Sequence, residues 1–214
     1  FIADARSEAA EAGVANVEFE VSDAQTAEWP QVHDYAFSRM GTQFFAAPVQ
    51  AMRAIRGALR PGGRFVQLVW NRKEESPLWA ESEQVVQRFL SRPDEYDADT
   101  CGPGPFSLGN PETCRGILEA AGFADVELRR MDFGYDLGDD LVEAVDAMLA
   151  LGPGGELIRL NGEHGEQLRP VIAAALADHY AAYRGADGRV VRPASVWLVR
   201  AVAPAADDAQ HRRG

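Results

Sequence analysis

The chain has 214 residues, of which 46% are hydrophobic and 25% charged, so it can bury the core of one soluble domain rather than several. No apolar run approaches the ~20 residues that span a membrane, and no basic-then-apolar segment marks an export signal. A formal net charge of −12 disfavours nucleic acid as a partner and favours a small molecule. We therefore predict a cytoplasmic protein.

The first predicted element is a helix that is already under way at Phe1 and stops at Gly13. It lacks the polar cap and acidic first turn with which helices usually begin, so we expect its start to lie upstream. Residues 17–23 alternate apolar and polar, which predicts a strand that ends in an acid, Asp23. Asp23 continues the apolar register, and a charge buried there would be costly unless it met a hydrogen-bond donor.

Helices and strands then alternate along the chain. The pattern predicts strands at 35–40, 65–70, 126–135 and 190–202, and helices at 48–59, 77–90, 111–122, 141–151 and 168–183. Pro61 forbids further helix and the two glycines after it permit positive φ, so this corner returns the chain to the sheet. The run at 65–70 is typical of a central parallel strand covered on both faces. Asn110 is the predicted cap of the helix at 111–122, Gly152 and its neighbours separate two helices, and Pro193 interrupts the last strand.

Such alternation predicts a doubly wound α/β sheet, in which ligands bind beyond the carboxyl ends of the strands. Three segments follow strand ends and should therefore converge on one crevice, namely residues 22–24, 38–41 and 70–71. The two cysteines, Cys101 and Cys114, are too far apart for a metal pair and too few for a disulfide framework. We expect two reduced thiols and no metal site. The single lysine among many arginines indicates a GC-rich bacterial genome.

Several short motifs follow one another in an order that resembles the class I S-adenosylmethionine-dependent methyltransferases. They are Ala-Gly-x-x-Asn-Val-x-Phe (12–19), Asp23-Ala24, Ser-Arg-x-Gly-x-x-Phe-Phe (38–45), Leu-Arg-Pro-Gly-Gly (59–63), Gly-Pro-Phe-Ser-Leu (104–108) and Leu-x-x-Ala-Gly-Phe (118–123). Within that class, these motifs most resemble the small-molecule branch that is similar to the methyltransferases of ubiquinone and menaquinone biosynthesis. The resemblance covers residues 1–204 as one methyltransferase domain and leaves 205–214 as a loose tail.

The resemblance implies transfer of a methyl group from S-adenosylmethionine to a small, partly apolar molecule. It assigns Asp23 to the adenine amino group, with the Ala24 amide nearby, and it places Ser38, Arg39 and Met40 at the methionine end, largely through their backbone. Asp23 has an alternative interpretation as the cap of a turn at the strand end. Arg39 could equally form a structural ion pair.

Three aromatic residues, Trp70, Trp79 and Phe106, are the candidates for an apolar substrate pocket, with ordinary core packing as the alternative. We predict no particular general base, because His33, His164, His179 and His211 are better interpreted as surface, solvated, capping or tail residues. The catalytic residue therefore stays unknown from the sequence. Methyl transfer is an in-line displacement, in which alignment alone can supply ~7–11 kcal/mol.

The family also has a glycine-rich loop after its first strand and an acid after its second, and neither occurs in these residues. A strand-helix-strand unit takes roughly 30 residues or more, so we expect on the order of 50 residues upstream. The expected fold is thus a Rossmann-like methyltransferase sheet, truncated at its N-terminus, with a C-terminal helical insertion and final edge strands. Residues 1–214 alone should bind the cofactor weakly. A non-catalytic scaffold and a nicotinamide-dependent oxidoreductase are the alternatives, and a homodimer is compatible with the sequence.

Overall fold

The computed structural model of the protein describes residues 1–92 and 102–205. Its strands are β1 (His33–Arg39), β2 (Leu59–Trp70), β3 (Ala124–Asp136) and β4 (Val191–Val202). Its helices are α1 (Ile2–Glu11), α2 (Pro48–Ala58), α3 (Pro77–Val86), α4 (Pro111–Ala120), α5 (Leu141–Leu151), α6 (Pro153–Leu160) and α7 (Gly162–Tyr180), with single 3-10 turns at Thr42–Phe44, Lys73–Glu75 and Ala181–Tyr183.

The four strands form one mixed sheet in the order β1-β2-β4-β3. β1 and β2 run parallel, whereas β4 is antiparallel to both of its neighbours. The predicted α/β class is confirmed. The prediction that the final strands both lie at the edge is wrong for β4, because Val196, Val199 and Ala201 are buried and the strand fits between β2 and β3.

The corner between α2 and β2 forms as the Pro-Gly-Gly sequence predicts. Gly62 has a φ of +80°, and its N–H donates to the carbonyl of Ala203 at 2.7 Å. A Cβ on Gly63 would lie 2.8 Å from the carbonyl oxygen of Arg60, which leaves room for glycine alone. The corner thus allows a close approach of two backbones where β2 starts.

The predicted cap of α4 is also present. The Asn110 side chain accepts hydrogen bonds from the backbone N–H groups of Glu112 and Thr113, at 3.0 and 3.4 Å, and Pro111 occupies the first turn. Gly122, with a φ of +91°, turns the chain toward β3. This helix packs on the face of the sheet that also carries α2.

Residues 17–23 do not form the predicted strand, because β1 pairs with β2 alone and offers no described neighbour on its other side. The apolar side chains of this segment consequently find little cover, and Val17 and Val21 are 44% and 81% exposed. Asp23 is exposed as well, so no charge is buried at this position.

The glycines after α5 are part of a helix rather than a break. Gly154 and Gly155 lie in the first turn of α6, and a Cβ on Gly155 would come within 1.8 Å of the Leu149 carbonyl. Gly165 similarly lets α7 approach the Ile158 carbonyl of α6. Close helix packing therefore explains why glycine occurs here, and the sequence analysis missed α6 and the early start of α7 for this reason.

Pro193 does not interrupt β4. The pairing of β4 with β2 reaches only Val196, so at Pro193 the strand has a neighbour, Gly134 of β3, on one side alone. A proline is tolerated where no second strand needs its N–H. The strand therefore runs through Pro193, where we expected an interruption.

Two hydrophobic clusters cover the two faces of the sheet. One packs α3, α5, α6 and α7 against the ends of β2 and β4, and the other packs α2 and α4 against Phe65, Val69 and Val199. Within the described ranges, each helix is too short or too polar to cross a membrane. The expected tail falls almost wholly outside the described residues, at 206–214.

Candidate functional site

A cavity of about 560 Å³ opens at the carboxyl ends of β1 and β2, on the side of the sheet covered by α3 and α5. β1 contributes Arg39, and the chain continues from it into the cavity wall at Met40. The other lining residues are Gln43, Phe44, Leu68, Trp70, Trp79, Pro105, Phe106, Met131, Phe133, Tyr135, Leu151 and Val196. The structure thus gathers two of the predicted cofactor residues and all three predicted substrate residues around one space.

Met40, the residue that follows β1 at the edge of the cavity, has a strained backbone. Its φ is +57°, in the left-handed region that residues with a side chain rarely adopt. Its N–H still donates to the carbonyl of Leu68 at 2.9 Å, so the strain comes after the last pairing with β2. Such strain costs of order 1–3 kcal/mol and is concentrated at ligand sites. Ser38, one pairing earlier, lies opposite Gln67 and outside the cavity lining.

Gln43 ties this end of β1 to the other walls. Its side-chain oxygen accepts a hydrogen bond from the backbone N–H of Trp70 at 3.3 Å. Its backbone carbonyl accepts from the backbone N–H of Gly104 at 3.0 Å and from the Ser107 hydroxyl at 2.6 Å. Those two bonds hold the segment that presents Phe106. The sequence analysis missed Gln43, although a polar residue shortly after a strand end was the available signal.

The deep wall of the cavity is aromatic. Trp70 and Trp79 meet edge to face with centroids 5.0 Å apart, and Phe106 packs on Trp79 at 6.0 Å. Tyr135 lies 5.9 Å from Trp70. The Trp79 indole N–H is buried and has no hydrogen-bond partner in the part of the chain that the structure describes.

β3 adds Met131, Phe133 and Tyr135 to the cavity, and sequence reasoning missed all three. They reach it because β4 joins β3 to β2, and Val196 of β4 lies opposite Trp70 on one side and opposite Met131 on the other. No local motif announces this, since strand order is a property of the whole sheet.

Asp23 and Ala24 lie apart from the cavity lining. The Asp23 Oδ1 atom accepts the Gln25 N–H at 2.9 Å, and its carbonyl accepts the N–H groups of Thr26 and Ala27, so Asp23 caps a turn. The Gln25 side chain in turn accepts the N–H of Ala47, next to the start of α2. The turn is therefore anchored to the helix that follows β1.

Arg39 is the sole residue with a full charge among the described residues that line the cavity. It is exposed, and no carboxylate within residues 1–92 or 102–205 pairs with it. Among the described residues, Arg39 therefore does not form the structural ion pair that the sequence analysis left as an alternative.

A second polar cluster lies behind α3 and outside this cavity. The fully buried Arg192 donates to Glu81 at 2.7 Å and to the Pro77 carbonyl at 3.1 Å, and it stacks on the Tyr183 ring with its guanidinium carbon 3.9 Å from the centroid. Burial alone would raise the pKa of Glu81, but the hydrogen bond and charge of Arg192 outweigh it and lower that pKa.

His179 belongs to this cluster rather than to the solvent, which corrects the expectation of a solvated or capping residue. Its Nε2 atom lies 3.1 Å from an Arg192 nitrogen. The same Nε2 atom lies 3.3 Å from Glu81 Oε2, so a neutral ring can accept from Arg192 there and a protonated ring can donate to Glu81. Burial and the charge of Arg192 lower the pKa of His179 below its usual range.

Cys114, on the buried face of α4, is a free thiol, as predicted. Burial raises its pKa to about 12, although a hydrogen bond from Gln67 opposes this. The other cysteine, Cys101, lies outside the described residues. Within the described ranges, no three His, Cys, Asp or Glu residues come close enough to hold a metal ion.

Residues 1–102, just under half of the chain, match the family model described as a methyltransferase domain. The fold is similar to that of the YcgJ protein from Bacillus subtilis, at 15% identity and a TM-score of 0.55 over 95% of this chain and 78% of that one. It is also similar to a protein of Bacillus halodurans described as a "putative methyltransferase", at 15% identity, a TM-score of 0.54 and 95% and 79% coverage. No curated protein sequence matches the chain at a significant level.

The structural neighbours confirm the predicted Rossmann-like methyltransferase fold. The match of residues 1–102 to a methyltransferase domain agrees with the predicted class of enzyme.

Proposed function

We propose that the protein transfers the methyl group of S-adenosylmethionine to a small, partly apolar molecule that binds in the aromatic cavity. The observation that carries this proposal is the cavity itself, because aromatic side chains from separate elements meet at the strand ends where this fold binds its ligands. Its volume of about 560 Å³ falls in the range of small-molecule sites, roughly 300–1,000 Å³. The more specific branch, similar to the enzymes of quinone biosynthesis, stays a prediction.

The residues present fit part of the cofactor. The left-handed backbone at Met40 directs the chain around the end of β1, and Arg39 and Met40 would border the methionine end. The Asp23 Oδ1 atom is engaged by Gln25, whereas Oδ2 makes no hydrogen bond to the described residues and can accept one from an adenine amino group. When bound, the cofactor would supply the methyl group by in-line displacement and would leave as S-adenosylhomocysteine.

This chain's own contribution to that step is alignment and the exclusion of water. Trp70, Trp79 and Phe106 give the substrate rigid faces, and the hydrogen bonds of Gln43 fix two of the walls relative to each other. Holding an acceptor in line with the methyl carbon can supply ~7–11 kcal/mol of the barrier. An enzyme of this type therefore works without an elaborate set of catalytic side chains.

Calorimetry on the full-length gene product tests the proposal with two ligands, S-adenosylhomocysteine and NAD. We expect saturable binding of S-adenosylhomocysteine and none of NAD. Tight binding of NAD with no binding of S-adenosylhomocysteine would support the oxidoreductase alternative instead and would end the proposal. Binding of neither ligand favours a scaffold that has lost the cofactor site.

A further inference from the structure

The described lining of the cavity carries a positive charge and no negative one. Six aromatic rings line it, yet Arg39 is the one fully charged side chain among its described residues, and Tyr135 is the one other titratable group. Arg39 is exposed, so solvent screens part of its charge, but the apolar wall beside it removes solvent from one side and leaves a stronger attraction for an anion than bulk water would. The cavity is therefore built for a ligand that combines a flat apolar body with a negative charge.

Arg39 differs in its partners from Arg130 of β3 and Arg192 of β4. Arg130 pairs with Glu75 and Asp132, and Arg192 pairs with Glu81, so each has a carboxylate of the protein. Arg39 has none within the described ranges, in a chain whose formal net charge is −12. An arginine on the wall of a cavity that no carboxylate of the described residues engages is available to a ligand.

We propose that Arg39 determines substrate specificity by pairing with an anionic group of a flat aromatic substrate, so that the substrates are aromatic acids rather than neutral rings. This inference rests on the proposed function and narrows it. The rings of Trp70, Trp79 and Phe106 bind the aromatic body by stacking, and Arg39 selects the charge.

A carboxylate at Arg39 could also come from the methionine end of the cofactor. The two sources are distinguishable, because substrate recognition by Arg39 needs no cofactor. If Arg39 served the cofactor instead, its loss would weaken S-adenosylhomocysteine binding and leave the preference for an aromatic acid unchanged.

The experiment compares 2-naphthoate with 2-naphthamide, which has a similar shape and no charge. Binding is followed by quenching of tryptophan fluorescence, since Trp70 and Trp79 line the cavity. We expect the wild type to bind the acid about 10-fold more tightly than the amide, the low end for a charge-assisted hydrogen bond. Arg39→Gln should weaken binding of the acid more than binding of the amide and so remove this preference.

Arg64→Gln is the matched control, because Arg64 is an exposed arginine on β2, six residues and thus roughly 20 Å along the strand from Trp70. It removes the same charge and should retain the preference. Salt provides a second measurement that needs no variant, and raising it from roughly 0.05 to 0.5 M should shrink the wild-type preference for the acid.

Equal binding of acid and amide by the wild type would overturn the inference, as would a preference that persists in Arg39→Gln. Either result would leave the proposed function intact as long as S-adenosylhomocysteine still binds. Conversely, a preference that depends on Arg39 in a protein that does not bind S-adenosylhomocysteine would support anion recognition and contradict the methyltransferase proposal.

Discussion

Trp70 at the end of β2 and Trp79 in α3 meet edge to face, with their ring planes at 87° and their centroids 5.0 Å apart. The pair joins a strand end to the helix that covers it, and Phe106 extends the pair by a second edge contact. The deep wall of the cavity is therefore a chain of rings in mutual contact rather than separate side chains.

This arrangement predicts that Phe106 contributes to ligand binding more than to stability. Phe106→Ala should weaken binding of 2-naphthoate roughly 2- to 10-fold, because one aromatic contact is lost. Phe89→Ala is the control, since Phe89 is also half-buried against the same core and does not line the cavity. Equal loss of affinity in both variants would show that the effect comes from the core. Fluorescence titration provides the measurement.

Two roles of Asp23 can be separated by experiment, namely capping of the turn and binding of the adenine amino group. Asp23→Ala in the full-length gene product should weaken S-adenosylhomocysteine binding ~10- to 100-fold if Oδ2 meets the adenine amino group. Asp23→Asn keeps a carbonyl acceptor and should lose less. Calorimetry and a melting curve are both needed. Normal affinity with a melting temperature several degrees lower would leave Asp23 with the turn alone.

The Arg192 cluster predicts a large stability effect far from the cavity. Glu81→Ala removes the one carboxylate that pairs with the fully buried Arg192, and we expect a loss of about 1–3 kcal/mol in the free energy of unfolding. Glu119→Ala is the control, because its carboxylate takes part in a 4.0 Å surface pair that should contribute little. Urea denaturation measures both variants, and equal effects would contradict the assignment.

His179 predicts that stability depends on pH in mildly acidic solution. Its pKa is lowered in the folded protein, so the unfolded chain takes up the proton first as the pH falls through the ordinary value of 6.5. The free energy of unfolding should therefore be highest above that value and decrease as the pH falls toward the folded pKa.

The variant His179→Gln should show a smaller decrease over the same range, because it has no proton to take up. Denaturation at several pH values from 7.5 to 5.5, roughly the range of a histidine, measures the slope. The exposed His164→Gln is the control and should follow the wild type. A wild-type slope identical to that of His179→Gln would refute the assignment.

Cys114 should be unreactive in the native protein, because only the thiolate reacts and its pKa is raised to about 12. In a Cys101→Ser variant, a thiol reagent at pH 8 should label Cys114 only after the chain is unfolded. Mass spectrometry of the labelled protein measures this, and rapid native labelling would mean that α4 opens readily.

The parts of the fold that the sequence predicted are those with a local cause. The Asn110 cap and the glycines at 62–63 act within a few residues, so their effects were visible before the structure. The strand at 17–23 failed because a strand also needs a neighbour, and β1 provides none to it among the described residues. Alternation of residues records only which side chains could share a face.

The site divides in the same way. Trp70 and Met40 follow directly from the rule that ligands bind at strand ends, and both line the cavity. Phe133 and Tyr135 could not be predicted, since they reach the cavity through the position of β4 between β2 and β3. The prediction that His179 is solvated or capping was wrong because its partner, Arg192, lies on β4, outside the local sequence pattern around His179.

The position of β4 also has a consequence for synthesis on the ribosome. Among the described residues β3 pairs with β4 alone, and β4 emerges only after α5, α6 and α7 have been translated. Until then β3 has no sheet to join, and the cavity lacks the wall that carries Tyr135. The nascent chain must therefore keep β3 from aggregating while the helices form, so we expect the site to assemble late, after translation has passed Val202.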